Sequence, residues 1–168
     1  RAGPGATPYV VFSGYPLLLL DITPAQRGAG RYCVYAKRVV DTREKLAHCG
    51  GTVEEVVQAA VSLAKQAAQG RGLVALDIGP IGQLLQPTGT LEFEEAVDIF
   101  AQVVRAGVAA GADLTVIETM TDLQEARAAL LAVKENSSLP VMVTMTYEST
   151  GRTFLGCSPA WAALTREG

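Results

Sequence analysis

This sequence is short of the residues that make redox and metal chemistry easy. Only three cysteines occur in 168 residues, Cys33, Cys49 and Cys157, and no two stand in a CxxC spacing. A sparse, odd count argues against a disulfide framework and fits a reducing, cytoplasmic compartment. The single histidine, His48, lies beside Cys49, and two adjacent residues fall short of the three or four ligands of a zinc site. Excess charge of one sign is missing too. Fourteen basic and 17 acidic residues give a formal net charge of −3, which offers no footprint for nucleic acid or for an anionic membrane surface. No apolar run is long enough to span a bilayer. The early patches Tyr9-Val10-Val11-Phe12 and Leu17-Leu18-Leu19-Leu20 are split by Ser13-Gly14-Tyr15-Pro16, so no signal peptide is expected from them.

What is present is an ordinary globular composition, 49% apolar and 18% charged, enough for one domain with a core. Residues 1–45 and 46–168 differ in character. The first segment is irregular, with loop-like Gly3-Pro4-Gly5 and Arg27-Gly28-Ala29-Gly30 and strands expected only near residues 17–21 and 32–36. From Thr52 the pattern is clean. Thr52 and Glu55 make a capping box, and Val53, Val56, Val57, Ala60, Val61, Ala64, Ala67 and Ala68 form one stripe of an amphipathic helix ending at Gly70. Leu73-Val74-Ala75-Leu76 reads as a strand buried on both faces. A second helix runs from about 92 to 110 and is stopped by Gly111. Residues 114–117 form a second strand. Thr121 and Gln124 offer a capping box for a third helix that ends near Asn136. A third strand covers 141–146, and Ser158-Pro159 opens a last helix.

Alternating helices and strands imply parallel strands joined by right-handed crossovers. A doubly wound α/β sheet and part of a (β/α)8 barrel both satisfy the pattern. No GxGxxG and no Walker lysine follow the first clear strand, so the nucleotide-binding versions lose support. In either architecture chemistry gathers at the carboxyl ends of the strands. Three clusters lie there: Asp77 with Gly79, Pro80 and Gly82; Glu118 with Thr119; and Thr144 with Thr146. A carboxylate at a strand tip needs a partner. For Glu118 that partner is a ligand ammonium, a lysine, or the free N–H groups of the next loop. Gly79 and Gly82 equally suit a tight turn, and Thr144 equally suits packing.

As a set these runs resemble a known family. Asp77-Ile78-Gly79-Pro80, Leu85-Gln86-Pro87 and Phe93-Glu94-Glu95-Ala96, then Ile117-Glu118-Thr119-Met120 and Glu125-Ala126, then Val143-Thr144-Met145-Thr146 and Gly151-Arg152-Thr153, together resemble the homocysteine-binding (homocysteine S-methyltransferase) domain of cobalamin-dependent methionine synthases. Lys37-Arg38-Val39-Val40-Asp41-Thr42 departs from that family's substrate-facing segment. The resemblance implies a partial TIM (β/α)8 barrel, with a whole barrel needing about 250 residues. It implies a methyl transfer to homocysteine, a zinc ion that holds the thiolate, and cobalamin as methyl carrier. Glu118 matches the acid that holds the amino-acid end of homocysteine, and Asp77, Gly79 and Pro80 match a loop near the substrate. Thr119 and Thr144 complete the expected substrate-binding set. The family's zinc cysteines lie beyond the matched stretch, and Cys157 does not stand at a ligand position, so this chain alone is not expected to hold zinc. The implied partners are homocysteine and a cobalamin-binding domain or a complementary half-barrel. An open half-barrel is also expected to associate through its edges. The competing expectation is a non-catalytic half-barrel that only binds another protein.

Overall fold

A computed structural model describes residues 51–163 in full, together with the backbone of Leu164 and of the strand β1, Tyr32–Ala36. The expected strand at 17–21 and the pair His48 and Cys49 lie outside the described residues. α1 spans Val53–Ala68 and begins where the capping box predicts. Thr52 Oγ1 accepts from the Glu55 N–H at 3.2 Å, and Glu55 Oε2 accepts from the Thr52 N–H at 3.0 Å. Of its stripe, Val53, Val56, Val57, Val61, Ala64 and Ala68 are buried, whereas Ala60 is half-buried and Ala67 is exposed at the edge of the stripe. The chain leaves the helix through left-handed Gln69 and Gly70 (φ 50° and 72°).

β2 spans Gly72–Ile78 and α2 Phe93–Ala109. β3 runs Leu114–Met120, three residues longer than its apolar run suggests. α3 covers Leu123–Asn136, β4 Val141–Met145 and α4 Pro159–Leu164. α3 is capped differently from expectation. Asp122, not Thr121, takes the extended cap conformation, and its Oδ1 accepts from the Gln124 N–H at 2.8 Å. The charged Asp side chain at the cap position accepts from the N2 amide and suits the positive end of the helix dipole. Ser158 caps α4 as its position predicts, its Oγ accepting from the Trp161 N–H at 3.4 Å.

The strands lie side by side in the order β1-β2-β3-β4, all parallel. This order separates the two architectures the pattern allowed. A doubly wound sheet reverses direction at a switch point, whereas the described strands advance one way only. The helices also gather on one face. Val74, Leu76 and Ile78 of β2, Ile117 and Met120 of β3, and Val141, Val143 and Met145 of β4 join residues of α1, α2 and α3 in one apolar cluster. Helices outside and strands in sequence are the arrangement of a (β/α)8 barrel, here as a partial barrel of four described strands. Gly107 allows α2 to rest directly on β2, since a Cβ there would fall 2.4 Å from Leu76 Cδ2.

The inner face carries the alternate residues. Ala75 and Val116 are buried there with Leu114 against them. At the amino ends, Asp113 ties the layers together. Both its oxygens lie 2.8 Å from Lys65 Nζ on α1, and Oδ2 accepts from the Val74 N–H at 2.7 Å.

Candidate functional site

Follow the inner face upward and its character changes. Two residues beyond Ala75 comes Asp77, and two beyond Val116 comes Glu118. Asp77 is 3% exposed and Glu118 6% exposed. Asp77 pairs in register with Val116, so Glu118 stands one pleat farther toward the mouth on the neighbouring strand. Thr144 follows Met142, which is the register partner of Val116, and so belongs to the same face. Three adjacent strands thus bring two carboxyl groups and a hydroxyl to one side of their carboxyl ends.

The tip of β3 is irregular in a way the apolar pattern does not announce. Ile117 pairs with Val143, but the next pair is Met120 with Met145. One extra residue is accommodated in β3, a β-bulge. Thr119 takes a left-handed backbone (φ 57°), costly for a β-branched residue, of order 1–3 kcal/mol. Local bonds hold it. The Thr119 N–H donates to Thr144 Oγ1 at 3.1 Å, Thr119 Oγ1 donates to the Glu118 carbonyl at 2.7 Å, and the Thr146 N–H donates to the Met120 carbonyl at 2.7 Å. Glu118 is therefore set on a strand end whose backbone is fixed on both sides.

The loop after β2 supplies the neighbouring wall. Gly79 and Pro80 are half-buried. Gly82 turns the loop with φ 91°, whereas Gly79 does not use a left-handed conformation, and no described atom lies within 4 Å of where its Cβ would be. The tight-turn reading thus suits Gly82 and leaves Gly79 with an open side. Of the six expected residues, Thr119 and Thr144 are joined by a hydrogen bond and are solvent-exposed, while Asp77 and Glu118 are buried below them. Residue-type reasoning passed over Glu125. Its carboxylate, 4% exposed, accepts from the Ile81 N–H at 2.6 Å and fastens this loop to α3. The signal available was its place in the Glu125-Ala126 pair, three residues past the helix cap.

Two grooves open along β4, of about 200 Å³ and 370 Å³. The first lies between α3, β4 and α4, among Leu130, Val143, Tyr147 and Pro159. Neither includes any of the six residues. Burial, reinforced by Cys157, pushes the Tyr147 phenol above its ordinary value, so it stays neutral. Among the described residues no group of three or more His, Cys, Asp or Glu is placed to hold a metal ion. Cys157 is turned to local bonding, its N–H donating to Thr153 Oγ1 at 3.1 Å and its thiol to the Ser158 carbonyl at 3.4 Å. The described residues do not fit a zinc centre. No described helix is long and apolar enough to cross a membrane.

The family model for homocysteine S-methyltransferase matches residues 35–167. The chain belongs to the homocysteine S-methyltransferase family. Solved structures agree on the fold. The metallated form of the Escherichia coli homocysteine methyltransferase MmuM superposes with a TM-score of 0.70 at 20% identity, covering 85% of this chain and 56% of that one. Its apo form gives 0.57 at 21% identity, covering 80% and 50%. This homocysteine S-methyltransferase family chain spans about half the length of those relatives. A search of curated proteins found no match.

Proposed function

We propose that this chain forms the amino-acid-binding part of a homocysteine S-methyltransferase site, transferring a methyl group from cobalamin or another donor. The observation that carries the reading is the pair Asp77 and Glu118, buried on the inner face at adjacent strand ends within the stretch matched by the family. In the reaction a sulfur–carbon bond to the methyl group forms as the methyl–donor bond breaks, and the thiol proton is lost. The described residues suit the other end of the substrate. Glu118 receives the α-ammonium, an interaction strengthened by burial. Thr144 Oγ1 already accepts from the Thr119 N–H, which leaves its own O–H to donate to the α-carboxylate. Asp77 with Gly79 and Pro80 walls the side. No step is assigned here to zinc, because the described residues do not fit it.

Calorimetric titration with L-homocysteine tests this. Glu118→Gln keeps the shape of the side chain and removes its charge, so affinity should fall at least about tenfold, or 1.4 kcal/mol. Binding that is untouched by the substitution overturns the role of Glu118. A second reading, a non-catalytic half-barrel docking a complementary half-barrel, is favoured by the apolar groove that runs along β4. L-homocysteine binding and self-association of the purified chain separate the two. Binding supports the amino-acid site, and its absence together with concentration-dependent association supports the docking module.

A further inference from the structure

We propose that Glu125 is a positioning residue for this site, clamping the loop after β2 so that the open side of Gly79 stays at the mouth of the sheet. The inference rests on the homocysteine-binding reading above and adds a residue to it. Glu125 lies in the first turn of α3 and Ile81 lies 44 positions earlier, yet their atoms meet at 2.6 Å in a buried setting. A hydrogen bond to an ionised carboxylate is shorter and stiffer than one to a neutral oxygen, more so away from water.

The placement gives the clamp its consequence. Only Ile78, Gly79 and Pro80 separate Asp77 from the fastened Ile81, and Pro80 removes one flexible torsion from that short span. On the other side, Glu125 follows Met120 by five residues, through the capping Asp122. One hydrogen bond thus ties the loop that leaves Asp77 to the segment that leaves Glu118. The two walls of the site keep their spacing because of it. Gly79 is the loop residue exposed to that spacing, since no described atom approaches the place of its Cβ. A methyl group there meets no described protein atom, and under the homocysteine-binding reading it crowds the ligand.

A double-mutant cycle on the whole chain, with L-homocysteine as the titrant, tests the proposal. Glu125→Gln keeps an acceptor oxygen and loses the charge. Glu125→Ala loses both. Affinity should fall about tenfold for Glu125→Ala and be partly rescued in Glu125→Gln, while amide exchange at Ile81 accelerates in the same order. Gly79→Ala should weaken binding without lowering the melting temperature. Combined with Glu125→Ala it should show less than the sum of the two effects, since a released loop can move its added methyl aside. Additive effects, or unchanged affinity beside faster Ile81 exchange, overturn the positioning role and leave a structural tie. Should the alanine variant fail to fold, the glutamine variant carries the same comparison. Absence of homocysteine binding by the unmodified chain overturns the site reading and this proposal with it. Binding that is lost in Glu118→Gln but survives both Glu125 variants overturns this proposal alone.

Discussion

The two faces of the sheet are built from alternate residues of the same strands. On the outer face Val74, Leu76 and Ile78 meet helices α1 and α2, and every one of them is apolar and buried. On the inner face Ala75 and Val116 are small or medium-sized, and the sequence of side chains ends in Asp77 and Glu118. One strand therefore serves two purposes at a spacing of one residue. The outer face supplies cohesion, which is proportional to apolar area removed from water. The inner face sets carboxyl groups at a tip, where they add little cohesion. Substitutions at Leu76 and Asp77 should separate these purposes although the two residues are adjacent in the chain.

The largest effect is expected on the outer face. Leu76→Ala removes a fully buried side chain against which Gly107 packs and should cost about 2–5 kcal/mol of unfolding free energy, read as a fall in the urea midpoint. Asp77→Asn should shift that midpoint by far less while weakening L-homocysteine binding. The comparison breaks if Asp77→Asn unfolds the protein, or if Leu76→Ala changes affinity at a temperature where both variants are folded.

A second contrast runs along the strands instead of across them. Asp113 at the amino end and Glu118 near the carboxyl end belong to the same stretch of chain, yet Asp113 directs both oxygens at Lys65 and one at the Val74 amide. Lys65 is 39% exposed and Asp113 30% exposed, so solvent screens the ion pair and most of the benefit comes from the amide bond. Asp113→Ala should therefore cost about 1–3 kcal/mol. Homocysteine affinity should not change, because the amino ends of the strands lie at the far side of the sheet from Asp77 and Glu118. An altered affinity in Asp113→Ala would show that the two ends are coupled.

The same contrasts explain what the sequence disclosed. Cohesion follows period, so the α1 stripe, the apolar run of β2 and the Thr52–Glu55 cap are legible from neighbouring residues. The alternation in β2 places Asp77 opposite to Leu76 before any coordinates are known. The bulge at Thr119 is not legible, because a left-handed backbone carries a compositional mark when glycine occupies it and none when threonine does. The contact of Glu125 with Ile81 is hidden for a different reason. It joins residues 44 apart, and no local pattern records a partner at that range. The choice of Asp122 over Thr121 as cap shows a third limit: two adjacent residues can both cap, and the direction in which β3 ends decides between them. Strand order, which selected the barrel over the doubly wound sheet, is likewise a long-range property.

The smallest expected effect lies on the outermost surface, where α1 meets α2. Gln102 Nε2 donates to Glu54 Oε1 at 2.9 Å, and this bond, ahead of the backbone bonding at the helix start, holds the Glu54 carboxyl below its ordinary value. A carboxyl whose folded value is depressed adds stability that is complete above its unfolded value and disappears as pH falls through the folded one. The unfolded value is about 4.3, so the gain is intact at neutral pH and vanishes in the acid range below it. Gln102→Ala removes the largest of these influences. The difference in urea midpoint between the unmodified chain and Gln102→Ala should be small at pH 7 and should close as the pH is taken below about 4. Because Arg105 is present in both proteins and the Gln102 bond is between a neutral donor and an exposed carboxylate, added salt should leave that difference nearly unchanged. A difference that instead persists unchanged on acidification would mean that Gln102 acts through packing between α1 and α2, and that the outer face draws its cohesion from apolar contact with no help from its polar rim.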